Sequence, residues 1–347
     1  PAYGADALRF TFAALASTGR DIKLDTGRIE GYRNFCNKIW NAARYVLMQC
    51  EGRDTGLDGG VMSPSLADRW IVSRLQQVSA EVREHIEQYR FDLMAKALHE
   101  FTWHEYCDWY LELSKAVLYD EAAGEAEKRA ARHTLVQVLE ALLRLLHPVI
   151  PFLTEEIWQE VAPLAGVRGE TIMLQPYPEC DENRIDREAI AEIAWVRDFI
   201  TGVRRIRSEM DIPPGRALPV LLQNWNDSDR RRYDDNARFI DGLARIESLR
   251  WLAPDEEAPE SATALVGEMK ILIPMSGLID KAAELARLDK EIGRLEKSLE
   301  GLEKRLANEN FTSRAPAEVV EGVRRQVEEQ QHALAQLRAQ QEKIRNL

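Results

Sequence analysis

The chain has 347 residues, of which 45% are hydrophobic and 30% charged, and its net charge is −12. This length allows two or three domains, and the acidic balance argues against a protein that coats nucleic acid indiscriminately, since such binding needs a broad positive field. No apolar run approaches the roughly 18 residues that cross a bilayer, and the N-terminus has no signal-peptide pattern. We therefore expect a cytoplasmic protein without a membrane partner. Four irregularly spaced cysteines are predicted to be reduced thiols: Cys36, Cys50, Cys107 and Cys180.

The first half of the chain has the pattern of an antiparallel helical bundle. Apolar residues recur at steps of three and four from about Thr26 to Met48, as in an amphipathic helix. Ser63 and Pro64 are predicted to be the N-cap and first turn of the next helix. Further helices are predicted over "FDLMAKALHEFTWHEYCDWYLELSKAVL", over "EKRAARHTLVQVLEALLRLL" and from Pro151 onward. Short connections between long amphipathic helices favour a bundle.

After Pro176 the pattern changes to that of a small α+β unit. A helix is predicted from about Arg187 to Met210, where two prolines follow and end it. The segments "LPVLL", "IESLRWL" and "MKILIPM" are predicted to be short strands, with "RRRYDDNARFIDGLA" as a helix among them.

The C-terminal segment has the heptad pattern of a coiled-coil hairpin. Hydrophobic residues alternate steps of three and four from Leu285 to Leu306, and the pattern returns from Val320 to Ile344. The link is too short for a parallel return, so we predict antiparallel helices that fold back about Ser313. In this register the facing e positions would form three pairs: Asp289 with Arg338, Glu296 with Gln331, and Glu303 with Arg324.

Five cations of this segment lie at c and f positions, pointing away from the predicted seam. We call them the cationic stripe: Arg287, Lys290, Arg294, Lys297 and Lys304. They span roughly 25 Å along a helix. One interpretation is a solvated face that neighbours such as Glu291 and Glu300 partly neutralise, and the other is a ladder for an RNA backbone. The stripe alone does not decide between the two.

Four polar side chains recur at one-turn spacings in "HEYCDWYLE": His104, Glu105, Asp108 and Glu112. The pattern is a near miss to a metalloprotease helix, but the second histidine is missing. Because zinc needs three or four converging ligands, we predict no metal site and a solvated face here.

Several segments, in one order, resemble the valyl-tRNA synthetase family. "YGADALRF", "ALASTGRDI" and "YRNFCNKIWNAARYVLM" are similar to the stretch that follows the second ATP-binding signature of those enzymes. "DRWIVSRL", "YRFDLMAKALHEFTWHEYCDWYLELSK" and "HPVIPFLTEEIW" resemble the anticodon-binding domain shared with the isoleucyl, leucyl and methionyl enzymes. "LANENFTSRAPAEVV" resembles the tip of the valyl arm. The resemblance covers nearly the whole chain.

The resemblance implies a C-terminal part of such an enzyme, with a mainly α fold. The implied regions are 1–30 as the tail of the catalytic and stem-contact region, 31–185 as the helical-bundle anticodon-binding domain, 186–278 as a small α+β junction domain, and 279–347 as the coiled-coil tRNA-binding arm. The family's two ATP-binding motifs, of the His-Ile-Gly-His and Lys-Met-Ser-Lys-Ser types, are absent from this sequence, as is the editing domain. We therefore expect no catalytic residues and no cofactor in this segment, and no valyl-adenylate formation by it alone.

The resemblance also implies a function for each region. The bundle would bind the anticodon arm of tRNA-Val and the coiled coil the outer corner of the tRNA, without a DNA partner and as a monomer. The full-length enzyme would use ATP and magnesium to attach valine to tRNA. An alternative is a protein-interaction scaffold, in which the coiled-coil seam helps an oligomer to form or docks a partner helix.

One face of the helix around "RNFCNKIWNAAR" is the candidate contact in the bundle. We call it the polar face: Arg33, Asn34, Asn37, Lys38, Trp40, Asn41 and Arg44. Asparagine is a poor helix former, costing up to about 0.7 kcal/mol relative to alanine. The asparagines either cap loops or bond across the bundle, or they contact the tRNA stem or anticodon loop, where amides and guanidinium groups reach bases and an aromatic ring stacks.

Overall fold

A computed structural model describes residues 3–17, 25–275, 281–307 and 317–346 of the chain. Its helices are α1 (Ala5–Leu15), α2 (Thr26–Cys50), α3 (Leu66–Glu87), α4 (Phe91–Glu100), α5 (Leu111–Leu118), α6 (Glu125–Leu146), α7 (Pro151–Leu164), α8 (Arg187–Glu209), α9 (Asp227–Ala244), α10 (Lys281–Ala307) and α11 (Ala317–Asn346). Its strands are β1 (Leu218–Gln223), β2 (Ile246–Trp251), β3 (Ser261–Val266) and β4 (Met269–Pro274). The predicted mainly α fold with a small α+β unit is confirmed.

The chain divides into two compact units. The first comprises residues 1–256 with 263–271, and the second comprises residues 257–262 with 272–347. No described helix has both the length and the apolar character that crossing a bilayer requires.

Large aromatic side chains form the core of the helical bundle. Trp70, Trp158, Tyr106 and Tyr110 are among the largest fully buried residues. Their polar atoms are bonded: the Tyr110 hydroxyl donates to Asp68 at 2.7 Å, and the Trp158 Nε1 donates to Glu140 at 2.8 Å. Since buried polar groups are costly when unpaired, these bonds let the core hold polar side chains at little net penalty.

The start of α3 differs from its prediction. The N-cap is Ser65, not Ser63, and Pro64 precedes the helix. The Ser65 Oγ accepts from the Asp68 N–H at 3.2 Å, and Asp68 Oδ2 accepts from the Ser65 N–H at 2.8 Å. This reciprocal capping box satisfies two backbone donors that a cap at Ser63 would leave to water.

The long helix predicted from Phe91 to Leu118 is continuous, but its middle is wound differently. Residues Phe101–Tyr110 form a π-helix between α4 and α5. The spacing of apolar residues predicted an α-helix there, because an α-helix and a single stretch of π-helix both place such residues on roughly the same side of the helix. π-helical turns are rare and are frequent at functional sites.

The small sheet has the strand order β2-β1-β4-β3. Strands β1 and β2 are parallel, with Leu222 opposite Trp251, and α9 makes the crossover between them, as parallel pairing requires. Three of the strands were predicted. Strand β3 was missed because "SATALV" has few large apolar residues to signal a strand.

The arm consists of α10 and α11, which run antiparallel. Leu288, Ile292, Val323 and Leu334 are among its buried seam residues. Gln331 donates to Glu303 at 3.3 Å, Arg338 to Glu296 at 2.7 Å and Gln341 to Asp289 at 2.5 Å. From one hydrogen bond to the next, the residue number rises on α11 as it falls on α10. This confirms the predicted antiparallel coiled coil.

The three predicted polar pairs across the arm were wrong. Glu296 and Glu303 each meet a partner seven residues further along α11 than predicted, and Asp289 meets Gln341 instead of Arg338. In a helix, side chains tilt towards the N-terminus of their own helix. In an antiparallel pair, two side chains therefore meet when each residue lies closer to its own C-terminus than the residue directly opposite the partner's backbone. The predicted turn at Ser313 lies outside the described residues.

Candidate nucleic-acid interface

The polar face lies on a helix whose opposite side is firmly anchored. Helix α2 buries Phe35, Ile39 and Val46. The Phe35 ring lies 5.0 Å from Phe10 of α1, centroid to centroid, and 4.7 Å from His99 of α4. Because these buried side chains of α2 are fixed by packing in the core, the polar face on the other side of the helix has a rigid support.

The three asparagines of the polar face are exposed: Asn34, Asn37 and Asn41. None of them hydrogen-bonds to another residue within the described ranges. The interpretation in which they bond across the bundle therefore finds no support in the described contacts. The amides and the exposed Arg44 guanidinium lie at steps of three and four and point to solvent.

Two cations of the polar face are engaged with side chains of the protein. Lys38 donates to Asp108 at 2.5 Å, and its Nζ lies 4.7 Å from the centre of the Trp103 ring. Arg33 donates to Glu30 at 3.0 Å, although its Nε is buried without a partner. These two side chains are therefore less available to a ligand than Arg44.

Exposed apolar groups extend the polar face towards the C-terminus of α2. Trp40 is 41% exposed and Met48 is 60% exposed. Met48 was not among the predicted site residues, although its spacing of four from Arg44 could have identified it. The face therefore combines amides, the Arg44 guanidinium, which has no partner among the described residues, and apolar surface, as expected of a surface that stacks on and hydrogen-bonds to unpaired bases.

On the arm, the stripe cations that the structure describes are exposed and differ in their pairing. Lys290, Arg294 and Lys297 form no ion pair with another described residue. Lys304 pairs with Glu300 at 2.6 Å. Arg287 belongs to α10, but its side chain lies outside the described part. The neutralised-face interpretation thus applies to one end of the stripe and not to its middle.

The arginines near the α+β unit are occupied within the protein. Arg207 is buried and donates to the carbonyls of Pro213, Arg216 and Ala244 at 3.1, 2.6 and 3.1 Å. Arg231 pairs with Glu192 at 2.6 Å. These side chains stabilise the junction of α8 and α9 and are poor candidates for RNA contacts.

The acidic pattern around His104 is largely paired. Glu105 forms two bonds with Arg74, at 2.7 and 2.9 Å, and Asp108 accepts from Lys38. Elsewhere on this segment, ligand atoms of His99, Glu100 and His104 lie within 4.8 Å of one another. His99 and His104 are five residues apart, and the π-helical winding that begins at Phe101 brings them together, whereas the metalloprotease pattern places its two histidines four residues apart.

Two family models match successive parts of the chain. Residues 68–222 match the anticodon-binding domain of tRNA ligase, and residues 280–345 match the valyl tRNA synthetase tRNA binding arm. The first match begins in the first turn of α3 and ends in β1, so it leaves out α1 and α2, and the second covers α10 and nearly all of α11. Together they take in most of the chain.

Among solved structures, the chain is similar to a LeuRS of Agrobacterium radiobacter K84, solved as a ternary LeuRS-tRNA-LeuAMS complex. The identity is 20%, the TM-score is 0.38, and the alignment covers 53% of this chain and 21% of that one. The aligned part is thus about a fifth of that LeuRS.

A helical bundle of the anticodon-binding type, followed by a coiled-coil tRNA-binding arm, defines the tRNA-binding C-terminal portion of an aminoacyl-tRNA synthetase. The partner of such a portion is tRNA. Because the arm that matches is the valyl one, the two matches together support a C-terminal part of a valyl-tRNA synthetase.

Proposed function

We propose that this chain binds tRNA-Val as the C-terminal part of a valine-tRNA ligase, with the bundle on the anticodon arm and the coiled coil on the outer corner of the tRNA. The observation that carries the proposal is the match of two regions of the chain to an anticodon-binding domain and to a valyl arm. Polar groups without described partners lie on α2, which precedes the first matched region, and on α10, inside the second. The full-length enzyme would use ATP and magnesium to attach valine. This segment would position the tRNA as a monomer and would form no adenylate by itself.

The polar face of α2 supports the placement of the bundle. It offers Asn37, Asn41 and Arg44, exposed and with no described hydrogen bond, next to the exposed ring of Trp40. Unpaired bases of an RNA loop present hydrogen-bonding edges and stacking faces, and this combination of side chains matches both. A helical duplex would offer the aromatic ring little to stack on.

The cationic stripe supports the placement of the arm. Lys290, Arg294 and Lys297 present positive charge in a line on one helix face, without amide or aromatic groups among them. Such a surface suits the phosphate backbone of a duplex, which is bound through charge and shape rather than through its bases. The acidic remainder of the chain would disfavour indiscriminate binding elsewhere.

Neutralising the stripe tests the proposal. Changing Arg287, Lys290, Arg294 and Lys297 together to glutamine is expected to weaken tRNA binding and to flatten its salt dependence by up to about 0.9 log unit per lost phosphate contact. Filter binding at several salt concentrations measures both. A charge-preserving variant, with each lysine changed to arginine and each arginine to lysine, is the control and keeps the slope. Unchanged affinity and slope in the glutamine variant would remove the stripe from tRNA binding.

Specificity is tested by mixing the chain with total tRNA and sequencing what it retains. The proposal expects enrichment of the valine isoacceptors. A retained pool with the composition of the input would contradict valine specificity. Retention of no tRNA, together with self-association of the chain, would favour the protein-interaction scaffold.

A further inference from the structure

The helix face that bears the cationic stripe also includes one glycine, Gly301. The c and f positions from Lys290 onwards read Lys290, Arg294, Lys297, Gly301 and Lys304, at steps of four, three, four and three. At 100° per residue, Gly301 lies at the centre of this face and roughly opposite the buried seam. It is exposed, as are Lys297 and Lys304 on either side of it.

Neither the backbone nor the packing of the described arm requires glycine at this position. Gly301 lies inside α10 and has no positive φ, so any residue could adopt its conformation. A Cβ atom built on Gly301 would meet nothing within 4 Å. Glycine is nevertheless the poorest residue for a helix interior after proline. Its presence on this face therefore weakens the helix without a compensating contact from the part of the chain that the structure describes.

What glycine does provide is a bare stretch of helix surface, where another molecule can approach the backbone closely. Lys297 lies about 6 Å before this point along the helix axis, and Lys304 about 4.5 Å after it. Lys297 has no described ion-pair partner, and the Lys304 pair with Glu300 is a surface pair of the kind that exchanges readily with other anions. A group that fits here is anionic and small enough to lie between two lysines.

We infer that Gly301 marks the closest approach of the tRNA backbone to the arm, with a phosphate lying on the bare helix surface between Lys297 and Lys304. This inference rests on the proposed binding of tRNA by the arm. It adds that the contact depends on the absence of a side chain at residue 301, and not on positive charge alone. A side chain at this position would keep the phosphate away from the helix and from both ammonium groups.

The test places the same uncharged side chain at two glycines of the arm in the complete chain. Gly301→Gln obstructs the proposed contact. Gly322→Gln is the matched control, since Gly322 is exposed on α11 and has equally open space around its missing Cβ. Helicity by circular dichroism is expected to be maintained or increased in both variants, because glutamine is a better helix former.

Binding of a transcript of a valine-accepting tRNA then separates the two variants. Gly301→Gln is expected to bind about fivefold to tenfold more weakly than the parent chain, and Gly322→Gln to bind like it. Gly301→Ala, a smaller obstruction in a stronger helix, is expected to give an intermediate loss.

Three results would overturn the inference, and they bear differently on the proposed function. Parent-like binding by Gly301→Gln, with weakened binding by the glutamine variant of the stripe, would overturn the close approach alone. Equal losses in Gly301→Gln and Gly322→Gln would do the same, because the effect would then be general to the arm. Parent-like binding by Gly301→Gln and by the stripe variant would overturn both the inference and the role of the arm.

Discussion

The bundle and the arm each expose polar groups that have no partner among the described residues, but they support these groups in different ways. The bundle has a thick core that contains Trp70, Trp158 and Phe35, and its buried charges are bonded inside the protein. The arm has a mainly aliphatic seam between two helices; its Gln331–Glu303 and Arg338–Glu296 pairs are exposed, and Gln341, which bonds to Asp289, is buried. In both the bundle and the arm, the exposed polar groups without a described partner therefore form no hydrogen bond or ion pair with the buried side chains that the structure describes.

This difference bears on what each surface can recognise. Amide and aromatic groups need a fixed geometry to distinguish bases, and helix α2 is held on a packed core that provides it. Positive charges act over several ångströms and tolerate small movements, so a slender arm is sufficient for them. The bundle is therefore suited to contacts that depend on shape and base identity, and the arm to contacts that depend on charge.

The largest expected effect is on the buried network of the bundle. Glu140 is 1% exposed and accepts from Trp158 and from Arg144, the latter at 2.7 Å. Glu140→Ala leaves both donors without their acceptor and is expected to cost about 3 kcal/mol in the free energy of unfolding. Urea denaturation measures it. Glu140→Gln keeps an acceptor for Trp158 and is expected to lose less; equal losses would show that charge alone matters.

A second change weakens the arm and leaves the bundle intact. Leu288 is fully buried in the seam. Leu288→Ala is expected to destabilise the arm by about 2 to 3 kcal/mol through lost burial and the cavity that remains. Circular dichroism should show earlier loss of part of the helical signal, with the near-ultraviolet signal of the bundle aromatics unchanged. Ser298→Ala, at an exposed position of α10, is the control. Early melting of the bundle would contradict the separation of the two units.

The third prediction concerns binding rather than stability. Trp40→Ala on the polar face is expected to weaken tRNA binding by about 1 to 2 kcal/mol, as expected for loss of a stacked base. Because the ring is partly exposed, the free energy of unfolding should change little. Trp40→Phe should retain part of the affinity. Full affinity of the alanine variant would exclude stacking on Trp40.

The smallest effect is a pH dependence in the bundle. Hydrogen bonds from Arg90 lower the pKa of Asp92 to about 2. Since the pKa is depressed on folding, this carboxylate contributes stability above its ordinary pKa, near 4, and the contribution is lost as the pH falls towards 2. Asp92→Asn should be slightly less stable than the parent at pH 7, and the difference should shrink as the pH falls from about 4 through 2. A constant difference between these pH values would assign the effect to another cause.

Much of the fold could be predicted from the sequence because an amphipathic helix has a recognisable spacing of apolar residues within a short segment. The spacing of apolar residues identified α2, α8 and both helices of the arm, since the helical period places those residues on one side regardless of the partner. The exposed middle of the cationic stripe followed from the same argument. So did the exposure of the asparagines on the polar face, whose contact with tRNA stays a prediction.

Other features depended on contacts between distant segments. Which serine caps α3 was decided by the carboxylate of Asp68, and the pairs along the arm were decided by how side chains lean between two antiparallel helices. The engagement of Lys38 with Asp108, and the absence of any described partner for Asn37 and Asn41, are likewise invisible in the sequence. Periodicity determines which side of a helix is buried, but only the packed structure decides which exposed groups are already bonded and which are left for a ligand.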